Sequence, residues 1–247
     1  MATLDYTPPP TVERFIKSEK FYNWIIGPVG SGKTVGALFK ILYHAQRQKP
    51  SPHDGIRRTR WVVVRNTRPK LKDTTMKSFF SWFIPGVAGR WWSTDDRFVF
   101  RFADVHAEVL FRPLDTPDDV GRVLSLEVTG AVIDEFIDIP HEIIEALGPR
   151  CGRFPPEKDG GPSWWGMWGA SNPGNEDNWW FDWLYEPWPE DDQTRASGKT
   201  KNDMLGYFEQ PSGFAPEAEN IENLPGKRQY YHDQAVGKSK SWVRQFL

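Results

Sequence analysis

Apolar and polar positions along the 247 residues alternate between two kinds of run. Short, nearly continuous apolar stretches read as strands buried on both faces: Phe21 to Ile26, Trp61 to Val64, Gly130 to Ile133 and Trp165 to Ala170. Longer stretches with helical spacing lie between them. Val35 to Gln48 predicts one helix, and Leu71 to Phe83, closed by Pro85 and Gly86, predicts another. Phe98 to Phe102 and Ala107 to Phe111 alternate strictly across a short polar turn and read as an antiparallel hairpin. Strands separated by helices predict an α/β fold around a mainly parallel sheet. Ahead of this core, Pro8 to Pro10 and the amphipathic Thr11 to Lys20 suggest an arm and a docking helix over residues 1–20. The core is assigned to 21–180. Residues 181–247 read as a small irregular, partly helical linker or lid, with helices at Gly226 to Gln234 and Ser241 to Leu247.

The joint between the first strand and the first helix carries chemistry. Gly27-Pro28-Val29-Gly30-Ser31-Gly32-Lys33-Thr34 matches G-x-x-x-x-G-K-[ST] in the strand–loop–helix context that this motif requires. Such a loop turns backbone N–H groups toward phosphates at a helix N-terminus, which implies ATP or GTP. Lys33 is expected on the β and γ phosphates and Thr34 on Mg²⁺. About a hundred residues on, a strand ends in Asp134-Glu135. Asp134 is the candidate metal-holding carboxylate. Glu135 is the candidate general base for the attacking water, placed by strand alternation on the opposite side. A third strand ends in Ser171-Asn172-Pro173, where polar side chains could meet the γ-phosphate or the water, or could simply cap a turn.

Composition narrows this only slightly. A formal net charge of −2 gives no global attraction to nucleic acid, so DNA contact would need a local patch. The densest basic run is Arg57, Arg58, Arg60, Arg65, Arg68, Lys70 and Lys72, interrupted by the Trp61 strand; it is either a grip on DNA phosphates or a solvated loop with arginines near the nucleotide, and Arg65, at a strand end, points at the nucleotide crevice. The single cysteine, Cys151, excludes an intramolecular disulfide framework. No apolar run is long enough to span a bilayer, so no membrane contact is expected. Seven of the thirteen tryptophans fall between Trp164 and Trp188, where packing is the better reading than base stacking.

Taken together, the phosphate loop, the Ile133-Asp134-Glu135-Phe136 strand end and Ala170-Ser171-Asn172-Pro173 resemble the ATPase half of bacteriophage large terminase subunits, over roughly residues 20 to 180. The resemblance implies a P-loop NTPase of the additional-strand, catalytic-glutamate class, with ATP and Mg²⁺ as cofactors. Carried over, Gly27 to Thr34 bind nucleotide, Thr34 and Asp134 hold the metal and Glu135 is the catalytic base. Ser171 and Asn172 form the coupling motif. The family places an arginine before the Asp-Glu strand that reaches the neighbouring subunit's ATP. Arg122 stands in that region, with Arg112 and Arg101 as rivals.

The resemblance also implies a homo-oligomeric ring, double-stranded DNA, a portal protein and a small terminase subunit as partners, and action in the host cell cytoplasm. Two departures stand out: Val29 occupies a position that is often basic in the family, and no glutamine-based adenine motif precedes the loop. The chain ends where the family approaches a nuclease domain, so no cutting activity is expected of it. Two other classes stay open at this point. One is a fragment of a superfamily 2 helicase-like translocase, and the other is a weakly hydrolysing nucleotide-binding assembly module.

Overall fold

The computed structural model describes residues 5–174, 177–188 and 192–247. Eight strands form one sheet in the order β3-β4-β5-β2-β6-β7-β1-β8. These are β1 (Tyr22–Ile26), β2 (Arg57–Arg65), β3 (Gly89–Trp92), β4 (Arg97–Phe102), β5 (Val105–Pro113), β6 (Gly130–Asp134), β7 (Gly166–Ser171) and β8 (Leu205–Glu209). The six strands from β5 to β8 in that order are mutually parallel. The antiparallel ladders join β3 to β4 and β4 to β5 at one edge. One strand, β7, therefore separates the strand that enters the Gly27–Thr34 loop from the strand that carries Asp134.

Side-chain alternation divides the core into two layers. Ile25, Trp61, Val63, Val132, Trp168 and Ala170 face the helices α1 (Pro10–Lys17) and α2 (Lys33–Arg47). Trp24, Ile26, Val62, Val64, Ala131, Ile133 and Met167 face the helix His141–Leu147 and the 114–128 connection. Trp168 lies fully buried at the centre and donates its indole N–H to the Ala37 carbonyl at 2.8 Å. The tryptophan cluster is thus largely packing, as its apolar mass predicts. Cys151 is a buried free thiol, and among the described residues no helix is long and apolar enough to cross a membrane.

Two expectations change. β2 begins at Arg57, so Arg57, Arg58 and Arg60 stand in a strand rather than a loop. Each has a carboxylate partner: Arg57 with Asp104 at 2.7 Å, Arg60 with Glu108 at 2.9 Å, and Arg58 with Asp54. Pairing with β5 and the turn before it uses up charge that the sequence alone leaves free. The stretch past residue 180, read as irregular, supplies β8, which pairs in parallel with β1 from Tyr22 opposite Leu205 to Ile26 opposite Glu209.

α1 lies across α2 and the sheet edge, with Val12, Phe15 and Ile16 buried. The fully buried Lys40 fastens it, donating to the Phe15 carbonyl at 2.6 Å and the Ser18 carbonyl at 2.7 Å, near the end of α1. The approach is close enough that a Cβ on Gly36 would sit 2.1 Å from Val12 Cγ1. Val12 is β-branched and cannot swing away freely. Gly36→Ala should lower stability by about 1–3 kcal/mol in urea unfolding, despite alanine's higher helix propensity. Adding Val12→Ala to that variant should cost little more, because the clash and the lost methyls occupy the same space.

Candidate active site

The parallel strands bring three loops to one edge of the sheet. β1 runs into 27–34, β6 ends at Asp134, and β7 ends at Ser171 between them. Gly30 (φ 77°) and Gly32 (φ 88°) take the left-handed conformations that curl the loop onto the first turn of α2.

Lys33 is the hub of this edge. Its ammonium is buried and donates to the carbonyls of Gly27 (2.8 Å) and Pro28 (2.7 Å), to Ser31 Oγ (3.3 Å) and to Asn172 Oδ1 (3.1 Å). Burial pulls its pKa down to about 8, against the opposing charges of Glu135 and Asp134. Thr34 Oγ1 donates to Asp134 Oδ1 at 3.1 Å. Asp134 is itself buried, and burial together with the adjacent Glu135 charge raises its pKa, while hydroxyl donors and Arg65 oppose the rise. The hydroxyl and carboxylate oxygens offer an all-oxygen donor set of the kind that a hard cation such as Mg²⁺ takes alongside phosphates and water.

Glu135 reaches its place by a route the sequence does not suggest. β6 stops at Asp134, and Glu135 adopts φ 52°, ψ 59°, a left-handed residue at the head of a single 3-10 turn. Strand alternation therefore does not set its direction. Its N–H is tied to the Ala170 carbonyl at 2.7 Å. Its carboxylate Oε2 accepts from Ser171 Oγ at 2.8 Å and from the Asn172 N–H at 3.3 Å. Asn172 thus touches both ends of the site, by its side chain to Lys33 and by its backbone to Glu135. Non-glycine residues in this conformation carry a cost of about 1–2 kcal/mol, which these bonds offset.

Arg122 is not part of this cluster. It sits on the connection from β5 to β6, its side chain 73% exposed and paired with Asp119 at 2.8 Å. Arg112 donates to the carbonyls of Asp95 and Phe111, and Arg101 is exposed on β4.

Arg65 stands at the crevice, as its place at a strand end suggests, whereas Thr75, Gln210, Asn220 and Tyr231 escape sequence reading. Arg65, buried at the end of β2, donates to the Asp134 carbonyl at 3.4 Å and pairs with Asp138 at 3.2 Å. Thr75 is fully buried and donates to Asp134 Oδ2 at 2.5 Å. The available signal was a polar residue on the buried stripe Leu71-Thr75-Phe79. From the far end of the chain, Gln210 exchanges bonds with Ser31 through Oε1 (2.7 Å) and Nε2 (3.1 Å). Asn220 donates to the Gly30 carbonyl at 2.7 Å, and Tyr231 Oη donates to the Val29 carbonyl at 2.9 Å. The Val29 N–H donates to the Phe246 carbonyl at 2.9 Å. Beside the loop, a groove of about 1220 Å³ opens between Pro8–Thr11 and Glu217–Asn223.

Because folding lowers the Lys33 pKa from 10.5 to about 8, the native state releases a proton that the unfolded chain keeps. Its presence should make stability rise with pH between about 8 and 10.5, by up to roughly 3 kcal/mol. Urea unfolding of wild type and Lys33→Met across that window checks this. The difference between the two curves should shift in favour of wild type as pH increases.

No protein-family model matches the sequence. The search of curated proteins finds no match either. Solved structures do match. The large terminase of a thermophilic bacteriophage superposes with TM-score 0.68 at 10% identity, covering 98% of this chain and 53% of that one. The same phage protein in complex with ATP-γ-S gives TM-score 0.65 at 12% identity, with 98% and 52% covered. The large terminase ATPase domain of a Thermus phage gives TM-score 0.59 at 15% identity, covering 98% of this chain and 93% of that domain. The chain spans about half the length of the first of these terminases and nearly all of the isolated ATPase domain. The fold of this chain is therefore that of the large terminase ATPase domains, a P-loop NTPase fold on a mostly parallel sheet.

Proposed function

We propose that this chain is an ATP hydrolase, the ATPase domain of a large-terminase-type motor that drives double-stranded DNA into a procapsid. The observation that carries the reading is the continuous contact from Lys33 through Asn172 to Glu135, beside the Thr34–Asp134 pair. A phosphate-binding lysine and a carboxylate base joined by one residue suit hydrolysis better than phosphate transfer to an organic acceptor. The fold match supports the terminase reading over a helicase fragment.

In this reading the phosphates lie on the N–H groups of Gly30 to Thr34, with the ammonium of Lys33 turned to them from its carbonyl partners. The nucleoside lies toward the groove between Pro8–Thr11 and Glu217–Asn223, which meets the loop where Asn220 and Pro9 flank Gly32. Thr34 and Asp134 would hold Mg²⁺, which would supply positive charge to offset that of the phosphates. Glu135, oriented by Ser171 and Asn172, accepts a proton from the attacking water. Arg122, exposed and outside its own site, is the arginine that this reading takes to act on the nucleotide of an adjacent subunit in a homo-oligomeric ring. Portal protein and small terminase subunit are the partners that this reading implies.

Steady-state hydrolysis of ATP over a wide range of protein concentration tests the proposal. Glu135→Gln should lower the rate by at least about a hundredfold while retaining nucleotide. The per-subunit rate should climb with concentration as sites are completed between subunits, and Arg122→Ala should abolish that climb, an arginine in trans being worth about a thousandfold or more at saturation. A Glu135-independent rate would reject the enzyme reading, and a flat profile indifferent to Arg122 would reject the shared site.

A further inference from the structure

The helix over residues 68–82 joins the metal-holding aspartate to a basic outer surface. It starts at the crevice edge just after β2, with Thr67 Oγ1 accepting the Lys70 N–H at 3.4 Å. It is not α-helical throughout. Residues Leu71–Met76 form a π-helical segment between the α segments Arg68–Lys70 and Lys77–Trp82. π turns are rare, hold an extra residue per turn and are frequent at functional sites. Here the widened segment contains Thr75, whose hydroxyl rests on Asp134 Oδ2.

The opposite side of this helix is exposed and cationic. Arg68, Lys70, Lys72 and Lys77 face outward with one acidic residue, Asp73, among them. Arg68 pairs with Asp96 and Lys70 with Asp138, whereas Lys72 and Lys77 form no ion pair with any described residue. This differs from Arg57, Arg58 and Arg60, all of which are matched by carboxylates. Of the basic residues from Arg57 to Lys77, those left without a carboxylate for an external polyanion, Lys72 and Lys77, therefore lie on this helix.

We propose that the exposed face of the 68–82 helix docks the phosphate backbone of duplex DNA, and that its π-helical segment transmits that contact to Asp134 through Thr75. The proposal rests on the ATPase reading of the site. Phosphate contacts from lysines are independent of sequence, as a surface that accepts any duplex requires. A π segment that reverts to α geometry loses its extra residue, turning the residues before it by about 100° and about 1.5 Å relative to those after it. The position of Lys72 and the hold of Thr75 on Asp134 are thereby linked, so that a duplex favouring the α register over the π register would alter both.

The test uses the whole chain, random-sequence duplex DNA, anisotropy for binding and phosphate release for hydrolysis. Wild type should hydrolyse ATP several-fold faster or slower with saturating duplex than without it. Lys72→Glu with Lys77→Glu should weaken duplex binding and reduce its log–log salt slope by about 2, with the DNA-free rate unchanged. Thr75→Val should bind duplex as wild type does yet lose the response, and Thr75→Ser should restore it. Unchanged affinity in the lysine variant overturns the docking surface, and a full response in Thr75→Val overturns the transmission. Glu135-dependent hydrolysis that is indifferent to duplex sinks this inference alone. Absence of Glu135-dependent hydrolysis removes the function it rests on.

Discussion

A buried ammonium must be surrounded by oxygen, and the working edge of this domain is arranged around that of Lys33. The carbonyls of Gly27 and Pro28 lie on one side of it and the Asn172 amide oxygen on the other. That arrangement requires β7 to sit directly beside β1, so that a residue just past the β7 end reaches the first residues of the loop. It also requires β6 on the far side of β7, where the left-handed turn at Glu135 can fold back onto Ser171 and Asn172. Strand order, the position of Asn172 and the conformation of Glu135 thus answer one electrostatic demand.

The second dependence runs to the end of the chain. β8 flanks β1, and the residues that follow it hold successive positions of the phosphate loop: Gln210 on Ser31, Asn220 on Gly30, and Tyr231 and Phe246 on Val29. Val29, often basic in the resembling family, here has both backbone groups bonded to this segment. Any movement of the loop would be felt first by residues 205–247.

Much of this was legible in the sequence because the signals are local. Two-sided burial made Trp61 to Val64 and Gly130 to Ile133 read as parallel strands, and strict alternation revealed the β4–β5 hairpin. The glycines, Lys33 and Thr34 declared the loop, and Asp134-Glu135 and Ser171-Asn172 declared themselves by standing at strand ends. What escaped depends on tertiary contacts. Leu205 to Glu209 is a strand because β1 offers an unpaired edge, not because its own pattern demands one. Arg57 to Arg60 looked like free charge until β5 placed Asp104 and Glu108 beside them. Thr75 stands on the buried stripe Leu71-Thr75-Phe79, but that spacing does not say that Asp134 faces it, and Gln210 and Tyr231 meet the loop across some two hundred residues of chain.

The part played by Asn172 is the most direct point of test, since among the described residues it bonds to both Lys33 and Glu135. Equilibrium binding of a fluorescent ATP analogue with Mg²⁺ should be measured beside single-turnover hydrolysis, in wild type and in Asn172→Ala. If Asn172 relays between the two, binding should hold or tighten, because the ammonium loses a competitor for phosphate, while the hydrolysis step slows by about tenfold or more. Binding and hydrolysis falling together, or neither changing, would contradict a relay and reduce Asn172 to a turn residue.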